Sequence, residues 1–119
     1  KVDEQAGILL MNSKQEMATI ALTLHAKQPK RGMIAYDNGY IEIYEYPRAC
    51  KAVITYTEDN HQEVIECGDT KDALYYEITD MEQTILTNEN VMHLDFTYDV
   101  MDMMSQIRES WGLKYPEEM

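Results

Sequence analysis

The side chains able to do chemistry are present in number but not in the arrangements that catalysis requires. The soft and borderline metal ligands are two cysteines, Cys50 and Cys67, and three histidines, His25, His61 and His93. No histidine stands at ligand spacing from another histidine or from a cysteine, so no zinc motif can be read. Both cysteines fall in segments that read as strands. Two thiols in a chain able to build a core predict reduced, structural cysteines rather than a disulfide framework, a metal site or a redox pair. Close carboxylate pairs, Glu42/Glu45 and Glu117-Glu118, are expected by chance among 22 acids and read as solvated rather than as general acid–base pairs. Glu77, inside Tyr75-Tyr76-Glu77-Ile78, borders an apolar position and is better placed to anchor a partner. The five glycines are scattered, none in a strand-to-helix phosphate turn. No Walker sequence, nucleophile elbow or paired-cysteine zinc spacing occurs. No catalytic, cofactor-binding or metal-binding residue is therefore expected.

What remains is recognition. Tyr40, Glu42, Tyr44 and Tyr46 alternate with Ile41 and Ile43, which gives one face of a strand an aromatic and polar character. On spacing alone this face suits either solvent or contact with a second subunit, where tyrosine adds area and keeps a hydrogen-bonding end. Nine methionines raise the idea of an adaptable binding groove. Met81 and Met104 lie on helical apolar stripes, however, and Met101 and Met103 widen one of them, so core is the expectation.

The elements that position these residues follow from periodicity. Gly7 to Met11 and Met17 to Leu24 predict an antiparallel hairpin, with Ala18, Ile20, Leu22 and Leu24 on one side. Arg31 to Tyr36 and Tyr40 to Tyr46 predict a second hairpin, in which Asn38-Gly39 supplies positive φ angles and Pro47 ends the run. Lys51 to Thr57 and Gln62 to Cys67 complete the strands, and Gly68 closes the section. Leu74, Ile78, Met81 and Ile85 then form a helical stripe, capped by Asp69 or Thr70. Val100, Met104, Ile107 and Trp111 form another, capped by Thr97 and stopped by Gly112 and Pro116. The expected fold is α+β: an open, largely antiparallel β-sheet with two C-terminal amphipathic helices packed on one face, in a single domain over residues 1–119.

Composition narrows the partners. The chain has 119 residues, 45% hydrophobic, which suffices for one core. Its charge of −12 disfavours nucleic acid and anionic membrane, which need clustered cations. Lys27, Lys30 and Arg31 are the only such cluster along the sequence and read as a solvated turn. No apolar run reaches the roughly 20 residues of a membrane span, and Lys1-Val2-Asp3-Glu4-Gln5 does not read as a signal peptide. A cytoplasmic location is the expectation.

The order of the segments resembles the C-terminal part of the Gfo/Idh/MocA oxidoreductases. The resemblance rests most on Ala73-Leu74-Tyr75-Tyr76-Glu77-Ile78, Tyr98-Asp99-Val100-Met101, Ile107-Arg108, Trp111-Gly112-Leu113 and Tyr115-Pro116-Glu117. Val2-Asp3-Glu4 and Gly39-Tyr40-Ile41-Glu42-Ile43 extend it upstream, so it covers nearly the whole chain. Tyr36-Asp37-Asn38-Gly39 departs from the family where relatives often place a glycine earlier in the turn. The resemblance implies a parent with an N-terminal Rossmann domain that transfers hydride between NAD or NADP and a sugar, polyol or diol. It also implies that the exposed sheet face assembles a homo-oligomer. The family's glycine-rich turn, Glu-Lys-Pro segment and Asp/His motif lie upstream of the matching region, so no catalytic residue carries over and the chain itself is expected to be inactive. The missing initial Met agrees with a C-terminal piece of such a protein. The alternative is a free-standing α+β small-ligand-binding or sensor module.

Overall fold

The computed structural model describes residues 4–116. Val2-Asp3 and the Glu117-Glu118 pair lie outside the described residues. The chain is α+β, with β1 (Gln5–Met11), β2 (Met17–Thr23), β3 (Arg31–Tyr36), β4 (Gly39–Tyr44), β5 (Lys51–Tyr56), β6 (Gln62–Glu66), α1 (Ala73–Thr87) and α2 (Leu94–Ser110). All strand pairing is antiparallel, but the six strands divide over two sheets, β1-β2 and β3-β4-β5-β6. The chain forms two compact units. One is Pro29–Leu94; the other joins the described residues up to Gln28 to those from Asp95 onward.

In the second of these units, β1 and β2 pair with Ile8 opposite Ile20, Leu10 opposite Ala18 and Ala6 opposite Leu22. This is the face the alternation predicts. The connection is built by Asn12, whose side-chain oxygen accepts from the Lys14 and Glu16 amides at 2.9 and 3.0 Å, while Gln15 turns left-handed at φ 66°. Helix α2 ends as the sequence predicts. Gly112 takes φ 63°, and the Leu113 amide reaches back to the Arg108 carbonyl at 3.1 Å, a Schellman-type closure. Arg108 also lies over the Tyr115 ring, 5.0 Å from its centroid. The start of α2 falls at Leu94, three residues before Thr97. The Asn90 side chain accepts from the Leu94 amide at 2.9 Å, so the first turn is secured upstream and Thr97 lies inside the helix.

In the Pro29–Leu94 unit the four strands form a meander. Cross-strand partners share a face, so the register puts Ile34, Ile41, Ile54 and Glu63 in one row and Ile43, Ala52 and Ile65 in the next. Arg31, Met33, Tyr40, Glu42, Tyr44, Lys51, Val53, Thr55, Val64 and Glu66 occupy the other face. The central strands β4 and β5 are the best covered, with Gly39 and Thr55 buried. Among the described residues no hydrophobic side chain is fully buried.

Two details of the β3–β4 hairpin differ from the periodicity reading. The turn between β3 and β4 consists of Asp37-Asn38, and neither Asn38 nor Gly39 has a positive φ. Gly39 is instead required by a close approach, since a Cβ there would collide with the Thr55 carbonyl oxygen of β5. Strand β4 ends at Tyr44 rather than Tyr46, because Glu45 turns left-handed at φ 52° and Tyr46–Arg48 forms a 3-10 turn that accepts Pro47.

Helix α1 follows a 3-10 turn, Thr70–Asp72, entered through Gly68 at φ 71°. Asp69 caps that turn by accepting from the Lys71 amide at 3.1 Å. The α1 N-terminus is fastened to the strand section by the Thr70 hydroxyl donating to the Arg48 carbonyl at 2.8 Å. The Asp69 amide donates to the Tyr76 hydroxyl at 3.1 Å. Asn88, left-handed, closes the other end. The apolar stripe foreseen on α1 is present but uncovered: Leu74, Ile78, Met81 and Ile85 are 60%, 67%, 51% and 69% exposed. Val100, Met104 and Trp111 of the α2 stripe are exposed as well, and only Ile107 is half-buried. No helix among the described residues is long and apolar enough to cross a membrane.

Candidate functional site

The residues singled out for recognition are brought together in part. Tyr40, Glu42 and Tyr44 share one face of β4, as alternation requires, while Tyr46 sits beyond the strand in the 3-10 turn, exposed. Glu42 is the centre of the group. Its carboxylate accepts from the Tyr44 hydroxyl at 3.2 Å and pairs with Arg31 at 3.6 Å through the same oxygen. The Glu42 side chain is only 17% exposed, against 53% for Arg31, so this is a partly desolvated charge with two partners rather than a solvated strand acid. Tyr40 is level with Thr55, whose hydroxyl accepts from the Gln62 side-chain amide at 3.1 Å. Lys51 and Glu66 extend the face with a loose ion pair at 3.8 Å.

At the Tyr44 end this face meets a cleft of about 690 Å³, lined by Lys30, Tyr44, Glu45, Arg48, Lys51 and Thr70 among others. Three cations face one carboxylate there, in a chain whose overall charge is −12. The cleft is shaped by the left-handed Glu45, whose amide donates to the Lys30 carbonyl at 2.7 Å and holds the approach to β3 against the end of β4. Arg48 is fixed through its own backbone, by the hydrogen bonds from its amide to the Glu45 carbonyl and from the Thr70 hydroxyl to its carbonyl. Such a concave basic site can hold an anionic or polyhydroxylated group through charge-assisted hydrogen bonds. Sequence inspection misses it, because Lys30 and Arg48 are distant along the chain. The signal lies in the register: once Arg31 pairs with Tyr44, Lys30 must stand beside Glu45.

The other candidate side chains are dispersed. His25 pairs with Glu4 at 2.7 Å. His61 stacks on Tyr56 at 4.2 Å between centroids and bonds to Asp59. The His61 backbone amide and then its ring lower the Asp59 carboxyl below the ordinary aspartate value. Asp69 is lowered likewise, by the Lys71 side chain and then by the Lys71 amide. Among the described residues no three histidine, cysteine, aspartate or glutamate side chains come together as a metal site. Glu77 is exposed on α1.

No protein-family model, curated protein or solved structure matches the chain.

Proposed function

We propose that the chain is the C-terminal domain of an NAD(P)-linked oxidoreductase of the Gfo/Idh/MocA type, acting in assembly and as part of the substrate wall rather than in hydride transfer. The observation that carries the reading is the uncovered apolar stripe of α1, in a chain that also presents a sheet face organised around Glu42. A stripe of this kind marks a surface destined for contact, because stable isolated domains rarely leave a contiguous apolar row in water. The Tyr40-Glu42-Tyr44 face is the surface offered to a second copy of the chain. Its tyrosines bring area, and its Glu42–Arg31 pair brings orientation. The basic cleft at its end is the segment of substrate wall, suited to a hydroxylated or anionic substrate. NAD or NADP would be held by a Rossmann domain of the parent protein. Cys50 and Cys67 are exposed free thiols, which suits a cytoplasm where any disulfide is transient.

Light scattering and nucleotide titration test this together. The chain is expected to be a dimer or larger, to lose that state with Tyr40→Asp/Tyr44→Asp, and to bind no NAD or NADP. A monomer at high concentration, or tight nucleotide binding by this chain alone, overturns the reading. The cleft also favours a second reading, a free-standing small-ligand module. Saturable binding of a small carboxylate or sugar phosphate to a monomeric chain would select it.

A further inference from the structure

The register of β5 and β6 places Cys50 directly opposite Cys67. Lys51 pairs with Glu66, and one step outward the Cys67 amide donates to the Cys50 carbonyl at 2.9 Å. At the far end of the same ladder the Tyr56 amide donates to the His61 carbonyl, six residues along β5 from Cys50. Hydrogen-bonded pairs recur every second residue in an antiparallel ladder, so Cys50 and Cys67 occupy such a pair, with Cα atoms roughly 5.5 Å apart. A disulfide spans Cα separations of about 4.4–6.8 Å. Opposed residues share a face, as the stacked Tyr56–His61 pair does at the other end of the same ladder. Both thiols are free and exposed, and Cys50 borders the cleft that gathers Lys30, Arg48 and Lys51.

We infer that Cys50 and Cys67 form a reversible cross-strand disulfide, made by exchange with an anionic low-molecular-weight disulfide of the oxidised-glutathione class. The Cys50 thiolate attacks one sulfur of that disulfide. A bond forms between Cys50 and one glutathionyl group, and the other half leaves as a thiolate. The deprotonated Cys67 then attacks the Cys50 sulfur, closes the Cys50–Cys67 bond and expels the second thiolate. Two protein thiols are oxidised, one small disulfide is reduced to two thiols, and the two protons given up by the cysteines pass to the departing thiolates. The cleft selects the reagent, since its three cations face the carboxylates of the tripeptide while Cys50 lies at its margin. Cys67 is the resolving thiol because it is presented from the neighbouring strand, outside that lining. The bond would fasten β5 to β6 next to Gly68, where the chain turns toward α1. An exposed disulfide is readily reduced, which makes the fastening reversible.

The 119-residue chain is incubated with oxidised glutathione, quenched with a maleimide and weighed intact. The expected wild-type product lacks two hydrogens, takes up no maleimide, yields a Cys50–Cys67 peptide on digestion and reverts with dithiothreitol. Cys67→Ser is expected to stop at one glutathionyl group on Cys50. Arg48→Gln/Lys51→Gln is expected to react several-fold more slowly with oxidised glutathione and unchanged with the neutral hydroxyethyl disulfide. Two alkylatable thiols in the treated wild type, two glutathionyl groups on one chain, or a bond joining two chains would each overturn the pairing. An equal loss of rate toward both disulfides would overturn the role of the cleft.

Discussion

Gly39 shows how one residue can hold a sheet together through what it lacks. Strand β5 passes so near that the Thr55 carbonyl fills the space of a Cβ, and β4 and β5 are the best-covered strands of their sheet. Gly39→Ala is expected to cost roughly 2 kcal/mol or more, because backbone rather than a flexible side chain must yield; urea unfolding followed by circular dichroism measures it. A sequence shows that a glycine follows Asn38, not which of its two uses applies. Positive φ and close approach look alike until the neighbouring strand is in place. Asp69 supplies a second residue-level expectation. The Lys71 side chain and amide hold its carboxyl below the ordinary value when folded. As pH falls, the unfolded chain therefore takes up that proton first. The stabilisation is complete above a pH of about 4, the ordinary aspartate value, and is lost as pH drops through the lowered folded value. Carboxyl chemical shifts followed through an acid titration should show Asp69, and Asp59 with it, ionising below the ordinary aspartate value. Asp69→Asn should remove its share of the acid-side slope in stability.

At the scale of elements, strand identity was legible wherever alternation was long and bounded by turn residues. Strand β3 keeps its expected bounds, Arg31–Tyr36, and the β1–β2 pairing puts Ala18, Ile20 and Leu22 together as alternation demands. The ends were less legible, since side-chain caps from outside the periodic run decide them. Helix α2 illustrates this. Thr97 has the right residue type for a cap, but Asn90 holds the Leu94 amide and the helix is already running when it reaches Thr97. Asn90→Ala is expected to destabilise the chain by about 1 kcal/mol, and Thr97→Ala by well under half of that. Thermal unfolding of the two variants side by side distinguishes the two starts. The candidate site was legible only within one strand. Tyr40, Glu42 and Tyr44 can be read from period two. The basic cleft and the Cys50/Cys67 pair needed a register that joins residues far apart in sequence.

For the whole molecule, the α+β class followed from the succession of strand and helix patterns, but the distribution of cover did not. Periodicity says which side chains share a stripe and is silent on what lies over it, so the stripes of α1 and α2 were expected to be core and are exposed. Stability should be unevenly spread as a result. In native-state hydrogen exchange, the amides of β4 and β5 are expected to be the slowest, and those of α1, fastened chiefly at its N-terminus, to exchange faster by at least an order of magnitude. Equal protection of α1 and β4 would contradict that ranking.

The two outer strands of the larger sheet are unequally guarded. Strand β6 carries Glu63 and Glu66, whereas β3 has a single charge, Arg31 at its first position, and exposes Met33, Ile34 and Tyr36. A foreign strand can therefore be templated along β3 much more easily than along β6, where carboxylates repel an incoming acidic chain. Any fibrillar growth in concentrated solution should nucleate on that side, and a single aspartate in place of Ala35 would act as a gatekeeper against it.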